Sequence, residues 1–200
     1  MALLTRLSGP RIRRLRNLAF DLRSGSLLVG NVATSHADDG AHDVVNTDIT
    51  AIERIFENRI RDSDVLVDVG CGKGRVIAWW LRRGAKTRIV GLELDEGVAE
   101  QTRHRLRRHP NVSVVTGDAV TNIPADGSLF YLHNPFGEDV VRAFGERLKE
   151  MHPSGAGVRI LYYNPVHVEV FRSDPAWRVE DVTVGGESFH PLCVIELAAS

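Results

Sequence analysis

The sequence predicts an α/β protein whose doubly wound, mostly parallel seven-stranded sheet ends in an antiparallel C-terminal strand. Three observations support this fold class. From residue 64 onward, short apolar runs alternate with segments of helical periodicity, which is typical of parallel strands connected by helices. A glycine-rich turn follows the first apolar run, and the last two runs flank a turn at Gly185-Gly186. The 200 residues suffice for one such domain with a buried core.

The strands are predicted from continuous apolar runs, as expected where helices cover both faces of a parallel sheet. Because right-handed crossovers join parallel strands, their carboxyl ends should meet at one edge, where such sheets bind ligands. The seven predicted strands are residues 65–69, 88–92, 112–115, 128–132, 158–163, 177–184 and 192–197.

Three helices are predicted between these strands. Gly84 is placed to end the first of them, and the second must stop before Pro110 because a helix rarely continues into a proline. These connections give the alternation that a doubly wound sheet requires. The three predicted helices are residues 75–83, 96–108 and 138–151.

A further helix is predicted before the first strand, over residues 49–60, where isoleucines recur at helical spacing. Thr47 or Thr50 is expected to be its N-cap, since Thr50 and Glu53 have the spacing of a capping box. The isoleucines would face the core, so this helix should pack against the sheet.

Charge is distributed unevenly along the chain. Basic and acidic residues number 25 and 26, so the net charge of −1 gives no overall attraction to nucleic acid. The first 25 residues, however, carry six arginines against one acid, Asp21. We expect residues 1–46 to form a basic helix and loop that could act as a lid, and residues 47–200 to form the main domain. The alternatives for the N-terminal segment are a solvated face, or weak binding to RNA or an anionic surface.

Cysteine content and hydropathy both favour a cytoplasmic protein. Cys71 and Cys193 lie far apart and suggest neither a disulfide framework nor a metal-ligand spacing. The apolar runs near the N-terminus are too short for a signal peptide or a membrane span. We predict no metal site, because the histidines and aspartates of residues 36–43 have no recognisable ligand spacing.

The segment VLVDVGCGKGRV, residues 65–76, joins a predicted strand to a glycine-rich turn that opens a helix. Glycines at positions 70, 72 and 74 permit a tight turn and the close approach of a ligand to the backbone. Asp68, at the end of the strand, could meet a cationic amino group. The spacing lacks the longer final gap of the dinucleotide fingerprint, although the turn alone is compatible with a nicotinamide-dependent oxidoreductase.

Acids also follow the next two predicted strands. Glu93, in IVGLELD, lies where a carboxylate can accept hydrogen bonds from a ribose, which suits both NAD and S-adenosylmethionine (SAM). Asp118, in VVTGDA, could accept a hydrogen bond from an adenine amine. Two alternative interpretations stay open. Glu93 could belong to the acidic N-terminus of a helix, and Asp118 could be an ordinary acidic residue of a turn. Together, three acids at successive strand ends favour a nucleoside site.

With these motifs, the chain resembles the class I SAM-dependent methyltransferases over roughly residues 47–197. The resemblance rests on VLVDVGCGKGRV, IVGLELD and VVTGDA and on the order of their acids. It implies that Asp68 and the glycine turn lie beside the methionine part of SAM, that Glu93 holds the ribose, and that Asp118 contacts the adenine. The residues predicted to contact the cofactor are Asp68, Gly70, Cys71, Gly72, Gly74, Glu93, Leu94, Asp118, Ala119 and Asn134.

The methyl acceptor is predicted to lie at the end of the fourth strand, at His133-Asn134-Pro135-Phe136. Asn134 could hold an amine with its lone pair aimed at the methyl group, and Phe136 offers a face to a planar or cationic substrate. Asn134-Pro135-Phe136 is similar to the Asn-Pro-Pro-Tyr motif of methyltransferases that act on amino groups, but the second proline is missing. We therefore expect transfer to a nitrogen of a protein side chain or a base, with Asn134 and His133 as catalytic residues.

Besides the oxidoreductase, two alternatives stay open. The first is O-methylation of a sugar or other small metabolite, with His133 or His167 as the base, because histidine suits proton transfer near neutral pH. The second is a non-catalytic nucleoside-binding module. The segment YYNPVH after the fifth strand is expected to form a wall of the substrate site. The predicted substrate contacts are Pro135, Phe136, Tyr163 and His167.

Overall fold

The computed structural model describes residues 10–24, 47–155, 157–185 and 189–198, which include one seven-stranded sheet. Its strands are β1 Leu66–Val69, β2 Ile89–Glu93, β3 Val112–Thr116, β4 Leu129–His133, β5 Arg159–Tyr163, β6 Trp177–Val182 and β7 Leu192–Leu197. They lie in the order β3-β2-β1-β4-β5-β7-β6, so the chain crosses over the sheet between β3 and β4.

The direction of the strands confirms the predicted fold class. The pairs that join β1 to β5 are all parallel. Strand β7 runs antiparallel to both of its neighbours, β5 and β6. The crossover between β3 and β4 makes β1 and β4 neighbours and creates the switch point, beside which an open α/β sheet binds its ligand.

The helices cover both faces of this sheet. Two of the predicted helices end one or two residues early, and the third has the predicted bounds. The short α6 was not predicted, because four residues are too few to show helical periodicity. Among the described helices, none is long and apolar enough to cross a membrane. They are α1 Pro10–Arg23, α2 Ile49–Phe56, α3 Arg75–Arg82, α4 Glu96–Leu106, α5 Glu138–Met151 and α6 Glu169–Arg172.

Two hydrophobic clusters fill the layers on either side of the sheet. The first packs α2, α3 and α4 against one face, where the rings of Trp80 and Tyr131 both lie 5.3 Å from that of Phe56. The second packs α5 and α6 against the other face, where Phe130 and Phe144 meet edge to face at 5.8 Å. Burial of these large side chains supplies most of the driving force for folding.

The start of α2 corrects one expectation from the sequence. Its N-cap is Asp48, whose carboxylate accepts a hydrogen bond from the Thr50 N–H at 2.7 Å, rather than Thr47 or Thr50. The Thr47 hydroxyl is instead engaged with Tyr131 and His133 on β4. The helix also ends at Phe56 rather than near residue 60, and the backbone turns into the left-handed region shortly afterwards.

Helix α1 is held against this layer by buried polar contacts. Asp21 is fully buried and forms an ion pair with Arg75, the first residue of α3, at 2.7 Å. Arg16 pairs with Glu53 on α2, also at 2.7 Å, and Asn17 accepts the N–H of Ile49 at 2.9 Å. The basic helix expected near the N-terminus therefore touches both α2 and α3. Residues 1–9 and 25–46 lie outside the described residues, and a lid role for this segment stays a prediction.

Candidate cofactor and acceptor site

The glycine turn after β1 adopts backbone angles that glycine accepts more readily than any other residue. Gly70, Gly72 and Gly74 have φ angles of 73°, 51° and 66°. The N–H groups of Gly70 and Cys71 both donate to the carbonyl of Leu92 at 2.9 Å. These two bonds tie the turn to the end of β2, so the first two strand ends form one rigid corner.

Two residues that the sequence analysis did not single out support this turn. An added Cβ at Gly91 on β2 would lie 2.8 Å from the Cys71 Sγ, so only glycine leaves room for the thiol. The Thr102 hydroxyl on α4 donates to the Gly72 carbonyl at 2.9 Å. Burial raises the pKa of the Cys71 thiol, which therefore packs beneath the turn as a neutral group. A glycine inside a strand is the sequence signal that could have identified Gly91.

Glu93 connects the glycine turn to the start of α4. Its Oε2 accepts the N–H of Gly72 at 2.7 Å, and its Oε1 accepts the N–H of Asp95 at 3.0 Å. The residue is 6% exposed, and burial raises the pKa of its carboxyl group. Because a carboxylate oxygen can accept two hydrogen bonds, each oxygen keeps a site for a further donor. A pair of ribose hydroxyls fits this arrangement.

Asp68 has the most unusual environment at this edge. It is 3% exposed, and its Oδ2 has no hydrogen-bond partner in the part of the chain that the structure describes. Burial and the neighbouring Glu93 carboxylate raise the pKa of Asp68 to about 8. Leaving such a group unpaired costs about 1–3 kcal/mol, and more when it is charged. A ligand cation would remove that cost, so the α-ammonium group of SAM fits the position.

Asp118, the third predicted acid, lies at the same edge but differs from Asp68 and Glu93 in being exposed. Its Oδ1 accepts the N–H of Val120 at 2.9 Å, which closes a local turn. The preceding Gly117 donates its N–H to the Glu93 carbonyl at 2.9 Å, so the end of β3 is joined to the end of β2. Ala119 is buried. Contact of Asp118 and Ala119 with adenine stays a prediction.

Leu94 follows β2 directly and is half-buried, between the buried Glu93 and the N-cap Asp95. Asp95 accepts the N–H of Val98 at 2.9 Å, which begins α4 and holds the chain after Leu94 in place. Contact of this leucine with an adenine ring follows from the predicted position of the ribose at Glu93. That role also stays a prediction.

The Asn134-Pro135 segment packs directly against the glycine turn. An added Cβ at Gly70 would lie 3.1 Å from the Pro135 Cβ, so the ends of β1 and β4 are in close contact. Asn134 has a φ of 44°, in the left-handed region. Phe136 is half-buried and its ring lies 6.3 Å from that of Phe144, so part of the ring is used in packing. The predicted acceptor segment and the predicted cofactor turn are therefore neighbours.

Tyr162, which the sequence analysis placed in the wall of the substrate site without a specific role, connects two of the predicted segments. Its hydroxyl donates to the Asn134 Oδ1 at 3.1 Å and interacts with the backbone of His167. Burial raises the pKa of Tyr162 to about 12, so the phenol keeps its proton and remains a donor. His167 itself is half-buried and lies beyond the end of β5. The contact depends on the pairing of β4 with β5, which local sequence patterns do not specify.

His133 contacts the opposite layer from Asn134. Its Nδ1 lies 2.9 Å from the Thr47 Oγ1, and that oxygen lies 2.7 Å from the Tyr131 hydroxyl. Its ring is 5.0 Å from that of Tyr163, whose own hydroxyl accepts the N–H of His190 at 3.1 Å. These rings form a second cluster at the carboxyl edge. Asn134 instead bonds to Tyr162, which belongs to the cluster on the other face of the sheet, so the two side chains have different surroundings.

Metal and disulfide chemistry can be assessed only within the described residues. Cys71 and Cys193 are both buried and free. In residues 10–24 and in the ranges from 47 onward, no group of three or more potential metal ligands occurs. The histidines and aspartates of residues 36–43 lie outside those ranges.

Residues 66–152 match a protein family described as a methyltransferase domain. The ribosomal RNA small subunit methyltransferase A of Thermotoga petrophila is 28% identical over 119 residues, which is 54% of this chain and 43% of that enzyme. The enzyme of the same name from Thermotoga neapolitana is 33% identical over 60 residues, 30% of this chain and 22% of the relative. The chain thus aligns with less than half the length of either curated relative.

Solved structures share the fold over more of the chain. Cofactor-bound Rv0187 from MTB has a TM-score of 0.63 and 15% identity, and the superposition covers 99% of this chain and 95% of that one. The Bacillus subtilis M1A22 tRNA methyltransferase TrmK has a TM-score of 0.60 and 13% identity, with coverage of 78% and 68%. At such identities the likeness concerns the fold alone.

The matched residues 66–152 contain the glycine turn, all three strand-end acids and Asn134. The superposition on Rv0187 covers 99% of this chain at a TM-score of 0.63, so the two folds agree over nearly the whole chain. SAM is the cofactor of such enzymes, and it fits the buried Asp68 and the half-satisfied Glu93. Residues 66–152 therefore match a methyltransferase domain, and the chain has the fold of the class I SAM-dependent methyltransferases.

Proposed function

We propose that this chain is a SAM-dependent methyltransferase and that it transfers the methyl group of SAM to a nitrogen of a nucleobase in RNA. The observation that carries the proposal is the position of Asn134. Its Oδ1 is held by the Tyr162 hydroxyl at 3.1 Å, and the adjoining Pro135 packs against Gly70 of the cofactor turn. An amide oxygen is therefore fixed beside the turn that would hold SAM.

The chemistry of an amide suits the presentation of an amine. The Asn134 oxygen has two acceptor sites, and Tyr162 takes one of them. The other can accept an N–H of the acceptor nitrogen, while a backbone carbonyl of the Asn134-Pro135 segment accepts a second. With both hydrogens engaged, the nitrogen lone pair points away from these oxygens and can be aimed at the methyl carbon.

Bound SAM supplies an electrophilic methyl carbon on a positively charged sulfur. The acceptor nitrogen forms a bond to that carbon as the carbon–sulfur bond breaks, and the nitrogen then loses a proton to solvent. A neutral amine already carries the attacking lone pair, so no strong base is required. The residues of this chain contribute alignment, and well-aligned reactants gain up to about 7–11 kcal/mol of barrier lowering.

Two further facts support a nucleobase as the acceptor. Phe136 is half-buried and presents an aromatic ring next to Asn134, where it could stack on a planar base. The Thermotoga relatives and TrmK are named as methyltransferases of ribosomal RNA and tRNA. A protein side chain as the acceptor, or O-methylation with His133 as the base, are the competing outcomes. The Nδ1 of His133 is already engaged with Thr47, which disfavours the second of these.

The proposal is tested with methyl-labelled SAM and an extract of the source cells, fractionated into RNA, protein and small molecules. We expect label in RNA, at a nucleobase nitrogen. Asn134→Ala should lower turnover about a hundredfold or more, the scale seen when one preorganised contact to the reacting group is removed. Its affinity for SAM should stay within about threefold, since Tyr162 and the glycine turn are unchanged.

Asn164→Ala is the matched control for the Asn134 variant. Asn164 also precedes a proline and has a left-handed φ of 54°, so alanine causes a similar backbone strain at both positions. Asn164 lies one strand further along the sheet, and we expect its variant to keep most of the activity. Label in protein or small molecules but not in RNA would contradict the proposal, as would full activity of Asn134→Ala.

A further inference from the structure

The outward face of α1 exposes an unusual stripe of large apolar side chains. Leu15, Leu18 and Leu22 are 64%, 40% and 64% exposed. Their spacing of three and four residues places them on one side of the helix. Among the described residues, Val166 is the only other large hydrophobic side chain with comparable exposure. Exposed leucines scattered singly need no explanation, but three on one helical face indicate a surface that meets something apolar.

The same face carries arginines and no acid. Arg11 and Arg14 are exposed, and their positions in the helix place them alongside the leucine stripe. The single acid of α1, Asp21, is buried in its ion pair with Arg75. The sequence from residue 70 to residue 92, which includes α3, contains no acid either. Positive charge is therefore unbalanced on this side of the molecule.

More arginines lie around the end of α1, on the side of the Phe20 ring, which is turned away from the leucine stripe. Arg82 on α3 donates to the Arg23 carbonyl at 3.4 Å and lies 5.7 Å from the centre of the Phe20 ring. Arg23, Arg82 and Arg83 are all exposed. The chain as a whole has a net charge of −1, so this concentration of cations is local. Such a surface attracts a polyanion.

Helix α1 cannot turn this stripe inward. The remaining sides of the helix are fixed by the buried Asp21–Arg75 pair and by the contacts of Arg16 and Asn17 with α2. Rotation would break that buried pair, which is strongly unfavourable because it leaves a charge unpaired. The leucines therefore stay on the surface in the folded protein.

We propose that this face of α1 binds the surface of an anionic lipid membrane. The leucines would enter the boundary between headgroups and acyl chains, while Arg11 and Arg14 contact headgroup phosphates. This combination of apolar and basic residues is what a helix needs to lie in a membrane interface. The inference rests on α1 alone and is independent of the acceptor proposed above.

An RNA ligand explains only part of this surface. RNA would use the arginines for its phosphates and aromatic rings for its bases, and it gains nothing from exposed leucines. The single aromatic residue of α1, Phe20, lies near Arg82 and is half-buried, away from the stripe. A membrane surface uses both the leucines and the arginines, so it accounts for more of what is observed.

The test is co-sedimentation of the full chain with vesicles of phosphatidylglycerol and phosphatidylcholine, compared with vesicles of phosphatidylcholine alone. We expect binding to the anionic vesicles only. The triple variant Leu15→Gln, Leu18→Gln, Leu22→Gln and the double variant Arg11→Glu, Arg14→Glu should each weaken that binding at least about tenfold. Both variants change exposed residues, and their thermal unfolding should match that of the wild type.

The double variant Arg142→Glu, Arg147→Glu is the control for charge. Both residues are exposed on α5, which packs on the other face of the sheet, and the change in net charge equals that of the α1 double variant. Its vesicle binding should stay within about twofold of the wild type, since charges far from the contact are screened by salt.

Three outcomes would overturn the proposal. The first is no binding of the wild type to anionic vesicles. The second is unchanged binding of the leucine variant, which would leave only electrostatic attraction, as for RNA. The third is wild-type dimerisation that the leucine variant abolishes, without binding to vesicles, which would assign the stripe to a second copy of the chain.

Discussion

The carboxyl edge of the sheet has two regions that differ in how their polar groups are satisfied. At the ends of β1 to β3, Glu93 binds the glycine turn, while the Oδ2 of Asp68 is buried without a hydrogen-bond partner in the described residues. At the ends of β4 and β5, Asn134 and His133 each have a partner in a distant part of the chain. In the first region an ionised Asp68 has no partner of its own and can accept a cation from a ligand, whereas the second region is held by its own side chains.

This difference explains why the two regions can be assigned to different tasks. A region with a buried carboxyl group and a tight glycine turn is preorganised for one defined ligand, which suits a cofactor common to many enzymes. In the other region, long-range contacts hold one amide group at a fixed point. The side chains around that amide can differ between enzymes that act on different acceptors. The four predictions that follow test this comparison, from the largest expected effect to the smallest.

The largest effect is expected where α1 meets the cofactor region. Asp21→Ala would leave the Arg75 guanidinium, which is 5% exposed, without its carboxylate and should lower the free energy of unfolding by about 3–5 kcal/mol. Glu53→Ala is the control, because its pair with Arg16 is partly exposed and should contribute at most about 1 kcal/mol. Urea denaturation measures both. If Asp21→Ala and Glu53→Ala lower the free energy of unfolding equally, Asp21 does not anchor this region.

Crowding of the glycine turn should have the next largest effect. In Gly91→Ala the new Cβ would lie 2.8 Å from the Cys71 Sγ, so the free energy of unfolding should fall by about 1–3 kcal/mol and SAM should bind more weakly. Adding Cys71→Ala should restore part of both losses. Gly97→Ala, on the exposed start of α4, is the control and should be neutral or stabilising. Wild-type stability of Gly91→Ala would contradict this account.

The third prediction concerns proton release at Asp68. Its pKa is raised from an ordinary 3.8 to about 8, so below pH 8 the folded protein holds a proton that the unfolded chain has lost. The stability of the ligand-free protein therefore falls as the pH rises between these values. The ammonium group of SAM favours the ionised carboxylate, so binding should release a proton. Affinity for SAM should rise up to about tenfold per pH unit from pH 6 toward 8.

Calorimetry in buffers of different ionisation enthalpy measures this proton release. Asp68→Asn has no proton to lose, so its affinity for SAM should be weaker and nearly independent of pH over the same range. A wild-type affinity that does not change with pH, or a pH dependence that persists in Asp68→Asn, would show that Asp68 does not meet the ammonium group.

The smallest effect is expected in the acceptor region. Tyr162→Phe removes the hydroxyl that donates to the Asn134 Oδ1, so that amide should lose its fixed orientation. Turnover should fall about threefold to tenfold, corresponding to one ordinary hydrogen bond, with no change in the affinity for SAM. Tyr163→Phe is the control, because the Tyr163 hydroxyl bonds to the backbone of His190 instead. If turnover falls equally in the two variants, Tyr162 does not position Asn134.

The sequence predicted the cofactor region more completely than the acceptor region. Strand periodicity located β1 to β3, and the glycine turn and the acids after those strands follow from local backbone geometry. The contacts of Asn134 and His133 with Tyr162 and Thr47 depend on strand pairing and on the docking of α2, which span more than 25 residues of chain. The same limit explains the wrong prediction that Thr47 caps a helix. Its actual partners, Tyr131 and His133, are distant in sequence.

The most direct test of the whole account compares Asp68→Asn with Asn134→Ala in two measurements, SAM binding by calorimetry and a single methyl transfer at saturating SAM. Asp68→Asn should weaken SAM binding by about tenfold or more and leave the rate of transfer within a few fold. Asn134→Ala should bind SAM almost normally and lose about a hundredfold or more in the rate of transfer. If both variants lose mainly SAM affinity, or both lose mainly the rate of transfer, the division of this edge into a cofactor region and an acceptor region is wrong. The division is also wrong if Asp68→Asn binds SAM like the wild type.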